Sequence, residues 1–178
     1  MAKAKNEYVN NKDFLAALVE YKRTVTEAEQ NNDPRPRVPN YIGECVIKIA
    51  THLARRPNFM NYTFKDEMVA DGIENCLQCI DNFDPEKSKN PFAYFTQIIW
   101  YAFLRRIQKE KKLLYTKYKM TEQVNLMNMT SDTQEHDIGV DFGDNIKMSE
   151  WSTEYMNKFI EEFESSKRKN VKKREKNV

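Results

Sequence analysis

Four acidic residues fall close together in the sequence, at Asp66, Glu67, Asp71 and Glu74. On a helix, Glu67, Asp71 and Glu74 would share one side, because residues three and four apart are neighbours on a helix surface. Like charges at this spacing repel one another unless a basic partner or solvent relieves them. The cluster suits docking onto a basic protein, and it equally suits a face that contacts only water.

A second group combines the aromatic, amide and basic side chains that contact nucleic acids. Spacings of three and four relate the stripe Tyr94, Gln97, Tyr101 and Arg105, and a basic cluster follows at Arg106, Lys109, Lys111 and Lys112. Aromatic rings can stack on unpaired bases while neighbouring cations hold phosphates. Alternatively, the tyrosines pack at the rim of a core and the cations favour the end of a helix. Both readings stay open on composition alone.

Groups typical of enzyme active sites are scarce. The two histidines, His52 and His136, lie in no motif with serine or cysteine that we recognise. The cysteines Cys45, Cys76 and Cys79 lie in apolar-periodic segments, where cysteine behaves as a small hydrophobic residue rather than as a metal ligand. We therefore expect no catalytic residue, no metal site and no cofactor.

Composition and charge exclude several protein classes. Only four of the 178 residues are glycine, which argues against a glycine-rich phosphate loop, a Rossmann crossover and a many-turned β-sandwich. Because no apolar run approaches the roughly 20 residues of a membrane span and no signal peptide is recognisable, we expect a cytosolic protein without membrane contact. Basic residues concentrate on either side of the acidic segment 120–166, with 14 of the 29 in residues 105–119 and 167–178.

Helices must position these groups, and apolar periodicity predicts about four of them. We expect helices at 13–21 with Asn10 or Asn11 as cap, at 41–56, from a Thr63 cap to about Ile80, and from Pro91 to about Lys112. The predicted fold class is all-α: a compact bundle of about four helices, with a partly disordered C-terminal extension that carries a short helix. The expected divisions are a helical domain at 1–118, an acidic linker at 119–150, and an amphipathic helix with a basic tail at 151–178.

Five sequence blocks occur in an order that is more specific than any one of them. They are NEYVNNK from Asn6, KDEMVADGIE from Lys65, NFD from Asn82, KNPFAY with TQ from Lys89, and the segment from Ala102 to Glu110. In this order they resemble region 2 of the bacterial sigma-70 family of transcription initiation factors, and more closely the late-transcription sigma factors of T-even phages. The resemblance covers roughly residues 6–115 and implies a helical fold.

The resemblance implies two binding surfaces. One is the acidic helix, which would dock on the clamp helices of the largest subunit of host core RNA polymerase through Glu67, Ala70, Asp71, Ile73 and Leu77. Among these positions, Ala70 and Ile73 stand where the family pattern has glutamine and asparagine. The other is the aromatic helix, which would capture the −10 element of promoter DNA and flip bases out of the stack.

The implied promoter-binding set is Tyr94, Gln97, Tyr101, Arg105, Arg106 and Lys109. Tyr94 matches the aromatic position of the family. Gln97 and Ile98 replace the family's tryptophan pair, and Tyr101 replaces its base-reading glutamine. Direct readout would therefore use different side chains here.

An amphipathic segment near the C-terminus is a third candidate for partner binding. We hypothesise that it binds a partner groove through Tyr155, Met156, Phe159, Ile160 and Phe163. The alternative is a helix that folds back on the domain. In the phage late factors, the resemblance implies, the C-terminal part meets the polymerase flap and the DNA sliding clamp, with a late coactivator as a further partner.

These features predict a viral sigma-like factor that directs host core polymerase to A·T-rich, −10-type late promoters in the cytoplasm of the infected bacterium. Two other classes stay open. A free-standing helical nucleic-acid-binding protein would bind nucleic acid unaided and would not need Glu67 and Asp71 exposed. A polymerase-binding factor that displaces host sigma would compete for core polymerase without supporting initiation.

Overall fold

The computed structural model describes residues 8–131 and 150–175, which form five α-helices and one short 3-10 helix, with no strand among them. The helices are α1 Asn11–Asn31, α2 Asn40–Ala54, α3 Lys65–Gln78, α4 Pro91–Ser131 and α5 Glu150–Glu175, and the 3-10 helix is Ile80–Asn82. The predicted all-α class is confirmed. The chain divides into two units between Gln108 and Lys109, whereas the boundary of the helical domain was predicted at 118.

Apolar side chains from four helices fill one core in the first unit. The buried apolar residues include five on α2 and five on α4: Ile42, Cys45, Val46, Ile49, Leu53, Phe95, Ile99, Ala102, Phe103 and Ile107. From α1, Phe14, Leu18 and Tyr21 complete this core. The 3.6-residue apolar period matches the buried faces of α2 and α4, whereas on α3 the apolar residue Leu77 is 41% exposed.

The cysteines behave as core residues rather than as reactive groups. Cys45 and Cys76 are buried, Cys79 is half-buried, and all three are free thiols. Burial raises the pKa of the Cys45 thiol, and it raises the pKa of Cys76 to about 12. Because the thiolate is the nucleophilic form, a raised pKa makes these two thiols inert near neutral pH.

Local capping explains where the helices begin and end. The Asn10 side chain caps α1 by accepting the N–H of Lys12 at 3.1 Å, as predicted. Helix α1 continues to Asn31, beyond the predicted end at 21, and stops where Asn32 adopts a left-handed φ of 55°. The predicted Thr63 cap is wrong: Phe64 precedes α3, and no side chain caps that end.

The start of α4 is fixed by two asparagines. Pro91 is its first residue, as predicted, because its missing N–H needs no partner there. Asn90 accepts the N–H of Ala93 at 3.1 Å. From α1, Asn11 accepts the N–H of Phe92, also at 3.1 Å. These bonds satisfy donors that an isolated helix start leaves without partners.

The second unit pairs the C-terminal part of α4 with α5. Ring contacts join Tyr115 to Phe163, with centroids 4.6 Å apart, and Tyr118 to Phe159, with centroids 5.5 Å apart. Helix α4 therefore continues past its predicted end near 112 because its tyrosines have a partner helix. Helix α5 is longer than the predicted short helix. The acidic linker was predicted at 119–150, and its residues 132–149 lie outside the described residues.

No helix in the described part of the chain is long and apolar enough to cross a membrane.

Helices α3 and α4 approach closely at Gly72. A methyl group at this position would meet Ile99 Cγ2 at 3.0 Å and Phe103 Cε1 at 3.2 Å, and both of these side chains are fully buried. At Gly43 on α2, by contrast, no atom lies within 4 Å of an added methyl group. The two helical glycines thus differ in packing alone.

We expect Gly72→Ala to lower the free energy of unfolding and Gly43→Ala to raise it. Alanine gains about 1 kcal/mol over glycine in a helix, and this gain is all that Gly43→Ala experiences. At Gly72, overpacking costs about 1–3 kcal/mol, which outweighs the gain. Urea unfolding followed by circular dichroism measures both variants. Equal stabilisation by the two substitutions would contradict close packing of α3 on α4.

Candidate functional site

The crossing of α3 and α4 pairs an acidic residue of the predicted docking set with a basic residue of the predicted promoter set. Arg106 donates to both carboxylate oxygens of Asp71, from Nε to Oδ2 at 2.7 Å and from Nη2 to Oδ1 at 2.8 Å. The side chains are 17% and 30% exposed, respectively. Arg106 is therefore the basic partner that relieves the repulsion expected around Asp71.

A second bridge beside this ion pair involves Asn75, which sequence reasoning did not select. Its Nδ2 donates to the carbonyl oxygen of Asp71 at 2.6 Å, and its Oδ1 accepts from Arg105 Nη2 at 2.8 Å. Two adjacent arginines of α4 are thus held by two α3 residues one helical turn apart. That four-residue spacing was the available signal for Asn75.

These bonds divide the predicted promoter set. Arg105 and Arg106 contact α3, so part of their hydrogen-bonding capacity is used within the chain. Gln97 is exposed, and Tyr101 is 52% exposed. We call Gln97 and Tyr101 the α4 face. Lys109 is exposed on the part of α4 that belongs to the second unit.

Tyr94 is half-buried and supports the fold. Its ring centroid lies 5.2 Å from those of Phe83 and Phe95. Its hydroxyl donates to the carbonyl oxygen of Cys79 at 3.4 Å, just before the 3-10 helix. Burial raises the pKa of this phenol. The residue that matches the family's aromatic position is thus tied to the core, and Tyr101 is the more accessible ring.

The outward side of α3 is acidic with apolar residues between the charges. Glu67, Ala70, Glu74 and Leu77 are exposed, and we call these four residues the α3 strip. Ile73, the remaining docking position, is half-buried and packs against the core. Glu67 forms no ion pair within residues 8–131 and 150–175. Its carboxylate is therefore available to a basic partner.

A further bridge fixes the turn that follows α3. Arg35, in the loop between α1 and α2, donates from Nη2 to both carboxylate oxygens of Asp81 at 2.7 Å. The hydrogen bond to Asp81 is the main cause that raises the pKa of Arg35 above its ordinary value. No local sequence pattern indicates this contact, because the two residues lie 46 positions apart.

The predicted C-terminal partner face is occupied within the chain. Met156 and Ile160 are buried, and Phe159 and Phe163 contact the tyrosines of α4. Only Tyr155 is more than half exposed. This arrangement is the fold-back alternative. Partner binding through these five residues stays a prediction, and it requires α5 to exchange its contacts with α4.

No group of three or more histidine, cysteine, aspartate or glutamate residues could hold a metal ion in the described part of the chain. His52 is exposed, and its ring lies 5.0 Å from that of Tyr8. His136 lies outside the described residues.

No protein-family model matches the sequence, and no curated protein matches it. The α3 strip and the α4 face both belong to the first unit.

We expect a double-mutant cycle on Asp71 and Arg106 to give a coupling free energy of about 1–2 kcal/mol. The pair is bidentate and mostly shielded from water, both of which strengthen an ion pair. The cycle uses Asp71→Ala, Arg106→Ala and the double variant in urea unfolding. The exposed pair Glu20–Arg23 is the control, for which weaker coupling is expected because solvent screens the two charges. Equal coupling in the two cycles would contradict a structural role for Arg106.

Proposed function

We propose that the chain is a viral sigma-like transcription initiation factor that binds host core RNA polymerase and directs it to A·T-rich, −10-type late promoters. One observation carries the proposal: a single helical unit exposes an acidic strip on α3 and an aromatic and amide face on α4. The order of these two elements along the chain is that of the resemblance. Neither surface needs a catalytic group.

Polymerase docking would use the α3 strip. Glu67 and Glu74 offer exposed carboxylates, and Ala70 and Leu77 add apolar contact between and beside them. This mixture suits a basic helical partner, since charge complementarity guides association and apolar burial contributes affinity. Asp71 would act indirectly, because its carboxylate is bonded to Arg106. The docking set is therefore narrower than the resemblance implies.

Promoter engagement would use the α4 face. The exposed ring of Tyr101 can stack on an unpaired base, and the Gln97 amide can hydrogen-bond to a base edge. Flexible A·T-rich steps open at low free-energy cost, which suits a surface with a single accessible ring. Arg105 is exposed and keeps donors beyond its bond to Asn75 for phosphate contacts.

The remaining partners belong to the same proposal. Helix α5 would meet the polymerase flap or the phage sliding clamp, with the late coactivator as a further partner, after exchanging its contacts with α4. The place of action would be the cytoplasm of the infected bacterium.

A polymerase-binding factor that displaces host sigma is the second candidate. The observation that favours it is the bidentate bond of Arg106 to Asp71, which diverts one of the predicted phosphate contacts, while Asn75 uses part of the capacity of Arg105. Such a factor would keep the α3 strip and make no use of the α4 face. It would bind core polymerase and compete with host sigma without opening promoters.

We expect Glu67→Lys to abolish co-elution with sigma-free bacterial core polymerase on size exclusion. The substitution reverses the charge at an exposed position of the α3 strip and leaves both members of the Asp71–Arg106 pair in place. Glu44→Lys is the matched control, because Glu44 is exposed on α2 and its substitution by lysine changes the net charge by the same amount. Loss of co-elution in both variants would contradict a specific docking face. Absence of co-elution in the unmodified chain, with unaided nucleic-acid binding, would favour the free-standing binder.

We expect Tyr101→Ala to reduce promoter opening about tenfold and to leave core binding unchanged. Stacking of a base on an aromatic ring contributes about 1–3 kcal/mol, and the loss of an exposed ring barely alters stability. Permanganate reactivity of unpaired thymines reports opening. Tyr41→Ala, which removes an exposed ring from α2, is the control. Core binding without opening in the unmodified chain would favour the displacing factor.

A further inference from the structure

The pairing of α4 with α5 brings together two basic clusters that are more than fifty residues apart in the sequence. Tyr115 contacts Phe163, and Tyr118 contacts Phe159, so the two helices run antiparallel. One helical turn further along this register, Lys111 precedes Tyr115 by four residues and Lys167 follows Phe163 by four. The register therefore sets positions 111 and 167 against each other.

Five exposed cations occupy this end of the helix pair, and we call them the basic hairpin surface: Lys111, Lys112, Lys167, Arg168 and Lys169. Arg168 forms an ion pair with Glu164 at 3.4 Å, yet its side chain is 76% exposed. The four lysines form no ion pair with any described residue. Four like charges are thus concentrated without an ion pair to another described residue.

Glu164, the ion-pair partner of Arg168, is engaged by two further groups. Glu164 accepts from the hydroxyl of Tyr115 at 3.0 Å and lies 3.6 Å from Lys119 Nζ, in addition to its contact with Arg168. The Tyr115 hydrogen bond is the main cause that lowers the pKa of Glu164. The carboxylate therefore stays ionised and bonded, and the lysines remain to attract an external anion.

We propose that the basic hairpin surface binds the phosphate backbone of double-stranded DNA without reading its sequence. Cations on one rigid surface release the counterions condensed on a duplex, which drives sequence-independent binding. The neighbouring rings point to a duplex rather than a single strand. Tyr115 and Phe163 are stacked on each other with centroids 4.6 Å apart, so these rings are not free to stack on bases.

This surface shares no residue with the predicted promoter set and does not depend on the proposed sigma-like function. Its test contains no polymerase and no promoter. If the chain does not bind the duplex, the proposals on core binding and promoter opening still stand. If it neither binds core polymerase nor opens promoters, the proposal on duplex binding still stands.

The test measures fluorescence anisotropy of a short labelled duplex, free of A·T-rich steps, with the full chain over a range of salt concentrations. We expect Lys111→Gln/Lys112→Gln/Lys167→Gln to reduce the slope of log affinity against log salt by about 2–3, since each lost phosphate contact removes about 0.9. Lys12→Gln/Lys48→Gln/Lys89→Gln removes the same charge from exposed sites of the first unit and should keep the slope of the unmodified chain. Equal slopes in the two triple variants would overturn the proposal.

A second variant tests whether the helix pair, and not the charge alone, forms the surface. Tyr115→Ala/Phe163→Ala keeps every cation and removes the ring contact that sets the register. We expect this variant to bind the duplex more weakly and with a shallower slope of log affinity against log salt. Circular dichroism measures how much of the helix content the variant keeps. Binding equal to that of the unmodified chain would overturn the proposal. The proposal would also be overturned if the unmodified chain bound a single-stranded oligonucleotide of equal length more tightly than the duplex. Tighter binding to phosphatidylglycerol vesicles than to the duplex would overturn it as well.

Discussion

Close packing of α3 on α4 is the constraint from which the candidate site follows. A methyl group at Gly72 would meet Ile99 at 3.0 Å and Phe103 at 3.2 Å, tighter than ordinary contact, so α3 and α4 pack closely here. At that separation, Asp71 and Arg106 meet with two short hydrogen bonds. The pair determines which charges are used internally, and it leaves the exposed carboxylates of α3 and the exposed ring of α4 for other molecules.

The two units differ in how their charged side chains are paired. In the first, the acidic helix and the basic helix neutralise each other where they cross, and a partly buried pair of this kind is costly to break once one member is removed. In the second, helix pairing places lysines from distant segments at one end. A net charge of +2 conceals this difference, because the balance is local.

Apolar periodicity was enough to identify the buried faces of α2 and α4, since burial imposes a regular spacing on neighbouring residues. The promoter set could be chosen partly by residue type, and the docking set followed from the resemblance, but the bond between Asp71 and Arg106 joins residues 35 apart and leaves no local pattern. The Thr63 cap failed because a favourable side chain does not ensure the required backbone geometry. The extent of α4 was missed because its tyrosines depend on α5, a partner distant in sequence.

The outward position of the α3 strip separates what the fold requires from what a partner would contact. Glu67, Ala70, Glu74 and Leu77 can be exchanged together without altering the side that carries Met68 and Gly72. A combinatorial library over these four positions should thus consist mostly of folded members. Helix α3 would then serve as a display scaffold on which binding specificity can be selected for independently of stability.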